Sequence, residues 1–223
     1  VVKILGIIPC AGKAERIGGK CKPLLMINGK YIIETIFENM MNVGIKEIYI
    51  IVNGEEIEKT CGYNYYGVKL NYIQQPKQDG LSEAIKLCRD LKESMLIILG
   101  DIIYKGNDLK DIIKVFEESL GSAVLTYKKE EDFKEIQKSF GFTEKWPMIT
   151  IEKPQTKDKK ILRNYLGLGI FIITPEIIDF IGKEPFTETF NKFKTITLIQ
   201  ELKGKYFNIN TEEDLANANS NTI

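Results

Sequence analysis

Three stretches of this chain gather residue types that handle phosphate. The first runs Pro9-Cys10-Ala11-Gly12-Lys13-Ala14-Glu15-Arg16-Ile17-Gly18-Gly19 and continues into Lys22-Pro23-Leu24-Leu25. Glycines at 12, 18 and 19 let the backbone approach a ligand closely, and the N–H groups along Ala11, Gly12 and Lys13 can turn toward phosphate oxygens. Arg16 and Lys22 add positive charge. It is not a Walker loop, because Ile17 stands five residues beyond Gly12 and no Gly-Lys-Ser/Thr follows. The second stretch is Gln75-Pro76-Lys77-Gln78-Asp79-Gly80-Leu81. The Gln75 amide carries a donor and an acceptor, which suits the edge of a pyrimidine, and Gly80 lets a flat base lie against the backbone beside Leu81. The third is Asp101, just beyond the apolar run 95–99, where a carboxylate can hold a hard cation such as Mg²⁺ across phosphate oxygens.

Composition narrows the chemistry further. The 223 residues include no histidine, which removes Ser-His-Asp triads, Cys-His pairs and every histidine-bearing zinc site. What remains is Lys, Arg, Asp, Glu, backbone groups and hard metal ions, the tools of phosphoryl chemistry, where positioning and charge neutralisation do most of the catalysis. Lys+Arg and Asp+Glu are equal at 31 each, so no basic excess advertises nucleic acid. The lysines at 157, 159 and 160 read as a solvated loop. Four cysteines (Cys10, Cys21, Cys61 and Cys88) lack CxxC spacing, which predicts a reduced, cytoplasmic protein. No apolar run reaches membrane-span length, and the opening residues lack a signal-peptide pattern, so no membrane partner is expected.

The elements that must position these residues follow from periodicity. Residues 4–8, 45–52, 68–73 and 95–99 read as strands. Apolar residues at 32, 33, 36, 37, 40 and 41 give a helix closed by Gly44, and those at 81, 84, 85, 88 and 91 give a second. This alternation predicts an α/β fold with a mostly parallel, Rossmann-like central sheet and helices on both faces. Ligands bind outside the carboxyl ends of such strands, so the 9–22 loop, the 75–80 loop and Asp101 are expected to share one crevice. In the second half, 123–127, 140–142, 148–151 and 168–173 read as strands, and 109–118, 175–181 and 212–218 as helices. One domain spanning 1–223 is expected, with a nucleotide-binding lobe over about 1–105 and an acceptor-binding lobe with a C-terminal helix over about 106–223.

These motifs, in this order, resemble the sugar-phosphate nucleotidyltransferases, and the Gln75–Ala84 segment is similar to that of the glucose-1-phosphate thymidylyltransferases. The family's Ala-Ala-Gly-x-Gly-(Thr/Ser)-Arg loop appears here with Cys10, Ala14 and Glu15 as departures. The resemblance implies that this loop wraps a triphosphate neutralised by Arg16 and Lys22, that Gln75 meets the base, and that Asp101 binds Mg²⁺. It extends to Glu152-Lys153-Pro154, to Asn164-Tyr165 with Gly169, and to Gly141, implying acceptor binding: Lys153 on the sugar phosphate, Glu152 on a sugar hydroxyl, and Gly141 and Gly169 beside the sugar. Near the end, Asn208-Ile209-Asn210-Thr211 stands where relatives carry Asp-Ile-Gly-Thr, Val-Asn-Asn or Val-Asp-Thr, so Asn210 or Asn208 would be the second metal ligand. The favoured position is Asn210. The same stretch also reads as a helix cap, with Thr211 capping and Asp214 three residues on.

The implied reaction joins a nucleoside triphosphate, with a pyrimidine favoured, to a sugar 1-phosphate, releasing pyrophosphate. Two other readings stand on the residues alone: a cytidylyltransferase acting on a phosphorylated alcohol or amino alcohol, and a catalytically idle nucleotide sensor. The triphosphate's base, the acceptor and the oligomeric state, including a homo-oligomer, stay open at this level.

Overall fold

The first apolar run forms β1 (Ile4–Pro9) in the middle of a large sheet. The computed structural model describes residues 3–12, 18–119, 123–143, 150–155, 164–193 and 197–221. After β1 come β2 (Met26–Ile27), β3 (Lys30–Tyr31), α1 (Ile32–Asn42), β4 (Glu47–Val52), α2 (Glu56–Cys61), β5 (Asn64–Tyr65), β6 (Val68–Gln74), α3 (Leu81–Lys86) and β7 (Ser94–Ile98). The second half adds β8 (Ile102–Lys105), α4 (Leu109–Glu118), β9 (Ala123–Lys129), α5 (Phe133–Ile136), β10 (Phe140–Phe142), β11 (Thr150–Glu152) and β12 (Tyr165–Ile173). It closes with α6 (Phe186–Thr189), β13 (Thr197–Glu201), β14 (Lys205–Asn208) and α7 (Glu212–Asn221).

Eight strands form the sheet in the order β13-β9-β12-β7-β1-β4-β6-β5. β7, β1, β4 and β6 are parallel neighbours. β12 lies antiparallel between β7 and β9, and β13 runs parallel to β9. Only β12 and the short β5 therefore run against the common direction. Successive side chains on a strand point to opposite faces, and this splits the core into two layers. Ile8, Ile48, Ile50, Leu96, Ile98 and Ile172 pack under α1 and α4 on one face. Ile7, Ile51, Met95, Ile97, Phe171 and Ile173 pack with Ala84 and Ile85 of α3 and Phe186 of α6 on the other. The result is the expected three-layer α/β arrangement.

Local sequence explains the main helices. In α1, Ile32, Ile33, Ile36, Phe37 and Met40 recur at helical spacing and are all buried. Glu34 accepts the Tyr31 N–H at 2.8 Å at its start, and Gly44, at φ 89°, takes the left-handed conformation beyond its end. At the start of α7, Thr211 and Asp214 cap each other: the Asp214 N–H donates to Thr211 Oγ1 at 3.1 Å, and the Thr211 N–H to Asp214 Oδ2 at 2.8 Å.

Two expected helices differ. The one read over 81–91 is α-helical only to Lys86, after which Leu87, Cys88 and Arg89 donate three residues back and tighten the turn. The one read over 175–181 is a 3₁₀ helix, Pro175–Phe180, whose opening proline has no N–H to give. The strand read over 148–151 begins at Thr150 among the described residues. No described helix is long and apolar enough to cross a membrane.

Candidate active site

The carboxyl ends of β1, β4, β6 and β7 open onto one crevice of about 480 Å³, within the range of small-ligand sites. Pro9 to Gly12 wall it after β1, Asn53 and Gly54 after β4, Gln75 and Gly80 after β6, and Leu99 to Asp101 after β7. Chain order changes direction at β1, whose two neighbours come from later in the chain on either side, and that is where open parallel sheets bind ligands. Ala11, Gly12, Lys22, Gln75, Gly80, Leu81 and Asp101, read separately from sequence, all line this crevice. Lys13 and Arg16 lie outside the described residues. Gly100 has to be glycine: a Cβ there would meet Cys10 Sγ at 2.6 Å and the Pro9 carbonyl oxygen at 2.9 Å.

Lys22 opens a short 3₁₀ turn, Lys22–Leu24, fixed by the buried Pro23 and by the Leu25 N–H donating to its carbonyl at 3.0 Å. Its ammonium donates to Asp101 Oδ2 at 3.1 Å and to Asn210 Oδ1 at 2.9 Å. Asn210 Nδ2 in turn donates to Asn208 Oδ1 at 2.9 Å. A two-stranded ribbon makes this meeting possible. β14 pairs antiparallel with β8, setting Asn208 opposite Ile102, and the Ile209 N–H donates to the Asp101 carbonyl at 2.9 Å. Tyr206 on the same ribbon accepts the Gly169 N–H at 3.3 Å. Sequence reading paired Asp101 with Asn210 only through resemblance, because neither strand of the ribbon was recognised.

Gln75 sits 5% exposed at the other end of the crevice. Its Nε2 donates to Asp79 Oδ1 at 2.9 Å and to the Gly80 carbonyl at 3.2 Å. Both amide hydrogens therefore have acceptors, and turning the amide over would set its oxygen against a carboxylate and a carbonyl. The orientation is fixed, leaving Oε1 as the group offered to a ligand. Gly80, at φ 104°, takes a backbone conformation that a side chain would strain. Asp79 stood inside the motif read from sequence but had no role there. Burial disfavours the thiolate at the nearby cysteines, pushing Cys10 well above its ordinary range and Cys21 up to about 11.

The predicted acceptor residues divide: Gly141, Glu152 and Lys153 gather on and just after β10 and β11, whereas Gly169 lies beside Leu99, accepting its N–H at 3.0 Å. Glu152, Lys153, Gly141 and Gly169 are not among the residues walling the crevice. Gly141 lies in the buried β10, opposite Ile151 of β11. Glu152 Oε2 accepts from Thr187 Oγ1 at 2.7 Å, and the Glu152 N–H donates to Glu188 Oε1 at 3.1 Å. Burial raises the Glu152 pKa above the ordinary carboxylate value, against the Thr187 bond and the Lys153 charge, which lower it. Lys153 is exposed and takes a left-handed φ of 44°, held by its N–H to the Ser139 carbonyl at 2.7 Å. Non-glycine residues rarely adopt this conformation, and it concentrates at functional sites. Gly169 has a packing reason of its own, since a Cβ there would meet the Leu99 side chain at 2.8 Å.

The nucleotidyl transferase family description matches residues 11–209. The chain belongs to that family. It is 29% identical over 232 residues to the bifunctional protein GlmU of Methanococcus maripaludis strain C5, covering 97% of this chain and 54% of that protein. It is 27% identical over 188 residues to glucose-1-phosphate thymidylyltransferase of Neisseria meningitidis serogroup A, covering 78% and 63%. A UDP-glucose pyrophosphorylase complexed with UDP-glucose shares its fold, with a TM-score of 0.86 at 19% identity over 99% of this chain and 98% of the other. The chain spans about half the length of the GlmU proteins it matches.

The family implies Mg²⁺, and the side chains here suit it. Asp101 and Asn210 aim hard oxygens at one cationic group, the Lys22 ammonium. No cluster of three or more His, Cys, Asp or Glu occurs among the described residues, so a cage made wholly of such side chains is not built there. Mg²⁺ commonly takes one or two protein oxygens and completes its shell with water and substrate phosphates.

Proposed function

We propose that this chain transfers a nucleotidyl group from UTP or dTTP to a sugar 1-phosphate, forming a nucleotide sugar and pyrophosphate. The observation that carries the reading is the crevice that joins a fixed amide acceptor, Gln75, with a cation-binding corner, Lys22 and Asp101. The relatives' names support it, since they denote sugar-phosphate nucleotidyltransferases. The base follows from the amide. Uracil and thymine present an N3–H donor to Gln75 Oε1, whereas cytosine has a lone pair at N3 and could meet the oxygen only by shifting its N4 amino group onto it, so the amide favours uracil and thymine.

In this reading, Gly12 and its neighbours bind the triphosphate through backbone N–H groups, and Lys22 and Arg16 offset its charge. Asp101 and Asn210 would hold Mg²⁺, with Asn208 orienting the Asn210 amide. The bound ion would neutralise charge on the leaving pyrophosphate. An oxygen of the acceptor phosphate attacks the α-phosphorus. That P–O bond forms as the bond to the β-phosphate oxygen breaks, and pyrophosphate carries away the electron pair. No general base is required, because the acceptor phosphate is already ionised at neutral pH. Lys153 aligns this nucleophile, where placement removes a large share of the barrier, and Glu152 accepts from a sugar hydroxyl.

The test is pyrophosphate release from UTP, dTTP or CTP mixed with a panel of sugar 1-phosphates, glucose 1-phosphate included, with and without chelator. The expected result is release with UTP or dTTP that chelator abolishes. Nucleotide binding without release from any pair would mark an idle sensor and overturn the proposal. Preference for CTP with a phosphorylated alcohol would overturn both base and acceptor.

A further inference from the structure

The Lys22 ammonium sits where the metal ligands converge. It bonds Asp101 Oδ2 and Asn210 Oδ1 together, and its side chain is only 16% exposed. Mg²⁺ binds oxygen at about 2.0–2.1 Å, so an ion on these two oxygens would stand within about 5 Å of the ammonium bonded to them. Their like charges at such a distance would repel strongly. The corner is also electrically balanced. Asp101 brings one negative charge and Lys22 one positive, while Asn208 and Asn210 are neutral amides; a further carboxylate, Asp214, is tied to the Asn210 and Thr211 N–H groups at 2.9 and 2.8 Å, so Lys22 cancels the one carboxylate that faces it.

Resting on the nucleotidyl-transfer reading, we propose that Lys22 is a resident counter-cation for the metal site: it keeps the oxygens of Asp101 and Asn210 assembled until a metal–nucleotide complex arrives. The backbone at Lys22 is fixed by its turn and by buried Pro23, so the exchange is a swing of the four-carbon side chain alone. The incoming phosphates supply both the divalent ion that replaces the ammonium and the negative charge that receives it. Free metal is therefore a poor ligand for the protein, and metal enters with the nucleotide.

The experiment titrates Mn²⁺ into nucleotide-free protein and reads free Mn²⁺ by electron paramagnetic resonance, independently of turnover. Wild type is expected to bind weakly, Lys22→Met at least about tenfold more tightly, and Lys22→Arg, which keeps the charge, like wild type. Lys22→Leu, which also removes the charge, should tighten binding likewise, and it serves if Lys22→Met fails to fold. Adding Asp101→Asn to the tight-binding variant should abolish the gain, which locates the ion. Equal affinity in wild type and the charge-removing variants at Lys22, whether tight or absent, overturns the proposal. Chelator-sensitive pyrophosphate release by wild type in that case would leave the nucleotidyl-transfer reading standing.

Discussion

The crevice at the strand ends and the group around Glu152 are held together in different ways. In the crevice, Gly12, Gln75 and Asp101 each lie within three residues of the end of a parallel strand, so backbone ladders set their positions. Around Glu152, a ladder of only three residue pairs, β10 with β11, is reinforced by side chains. Asn191 accepts the Thr150 N–H at 2.8 Å and donates to the Thr150 carbonyl at 3.0 Å, filling the place of a neighbouring strand beside β11. Thr187 and Glu188 bind Glu152, and Ser139 Oγ donates to the Gly167 carbonyl at 2.8 Å. A ladder cannot be altered one residue at a time, whereas side-chain clamps can. In the proposed reaction, triphosphate handling would thus rest on the part of the fold harder to change, and acceptor binding on the part easier to change.

The sharpest challenge to this contrast is Asp101→Ala. Loss of one preorganised charged contact costs about 2.7–4 kcal/mol in mutant enzymes, so turnover should fall at least about a hundredfold, while Lys153→Ala should raise KM for the sugar phosphate and leave UTP binding alone. Steady-state kinetics with both substrates varied checks this, and equal loss of UTP affinity in the two variants would erase the distinction. Next is Gly167→Ala. A Cβ there overlaps the Phe140 ring, which should cost about 1–3 kcal/mol, read as a lower urea midpoint and partly relieved by Phe140→Leu. A midpoint unchanged from wild type would mean that β10 shifts freely against β12.

A smaller effect is expected at Asp79. In Asp79→Asn the new amide can donate to Gln75 Oε1, so the ratio of kcat/KM for UTP over CTP should drop by about tenfold, or about 1.4 kcal/mol. A uniform loss for both nucleotides would mean that Asp79 only shapes the loop. The smallest effect concerns Glu152. Its pKa is raised in the native state, chiefly by burial, so the unfolded chain binds fewer protons and stability falls as pH climbs from the ordinary carboxylate value through the raised one. Glu152→Gln should therefore match wild type in acid and melt higher at neutral pH. A variant that melts lower at every pH would show that the carboxylate itself holds Thr187 and Glu188.

The first half of the chain was legible because its information is local. The isoleucine-rich runs of β1, β4 and β7 read as buried strands, and parallel strands place their following loops on one edge. The β8–β14 ribbon was not legible, since Ile102–Lys105 is short, follows almost directly on β7, and finds its partner about a hundred residues later. Residues 186–193 show no clear period because they are a one-turn helix and a 3₁₀ turn whose value lies in Thr187, Glu188 and Asn191 reaching β11. The insertion of β12 against the sheet's direction leaves no periodic trace either. Of the site, the residue types were readable, but the commitment of both Gln75 hydrogens and the meeting of Lys22 with Asn210 depend on geometry.

The late arrival of β14 also sets a schedule on the ribosome. By the time residue 101 has emerged, all four strands that floor the crevice exist, yet the strand that brings Asn210 to Lys22 is still to be translated. At about 5–20 residues per second, that is a wait of roughly 5–20 s. A nascent chain therefore holds every strand that floors the crevice about a hundred residues before the strand that closes its Lys22 corner.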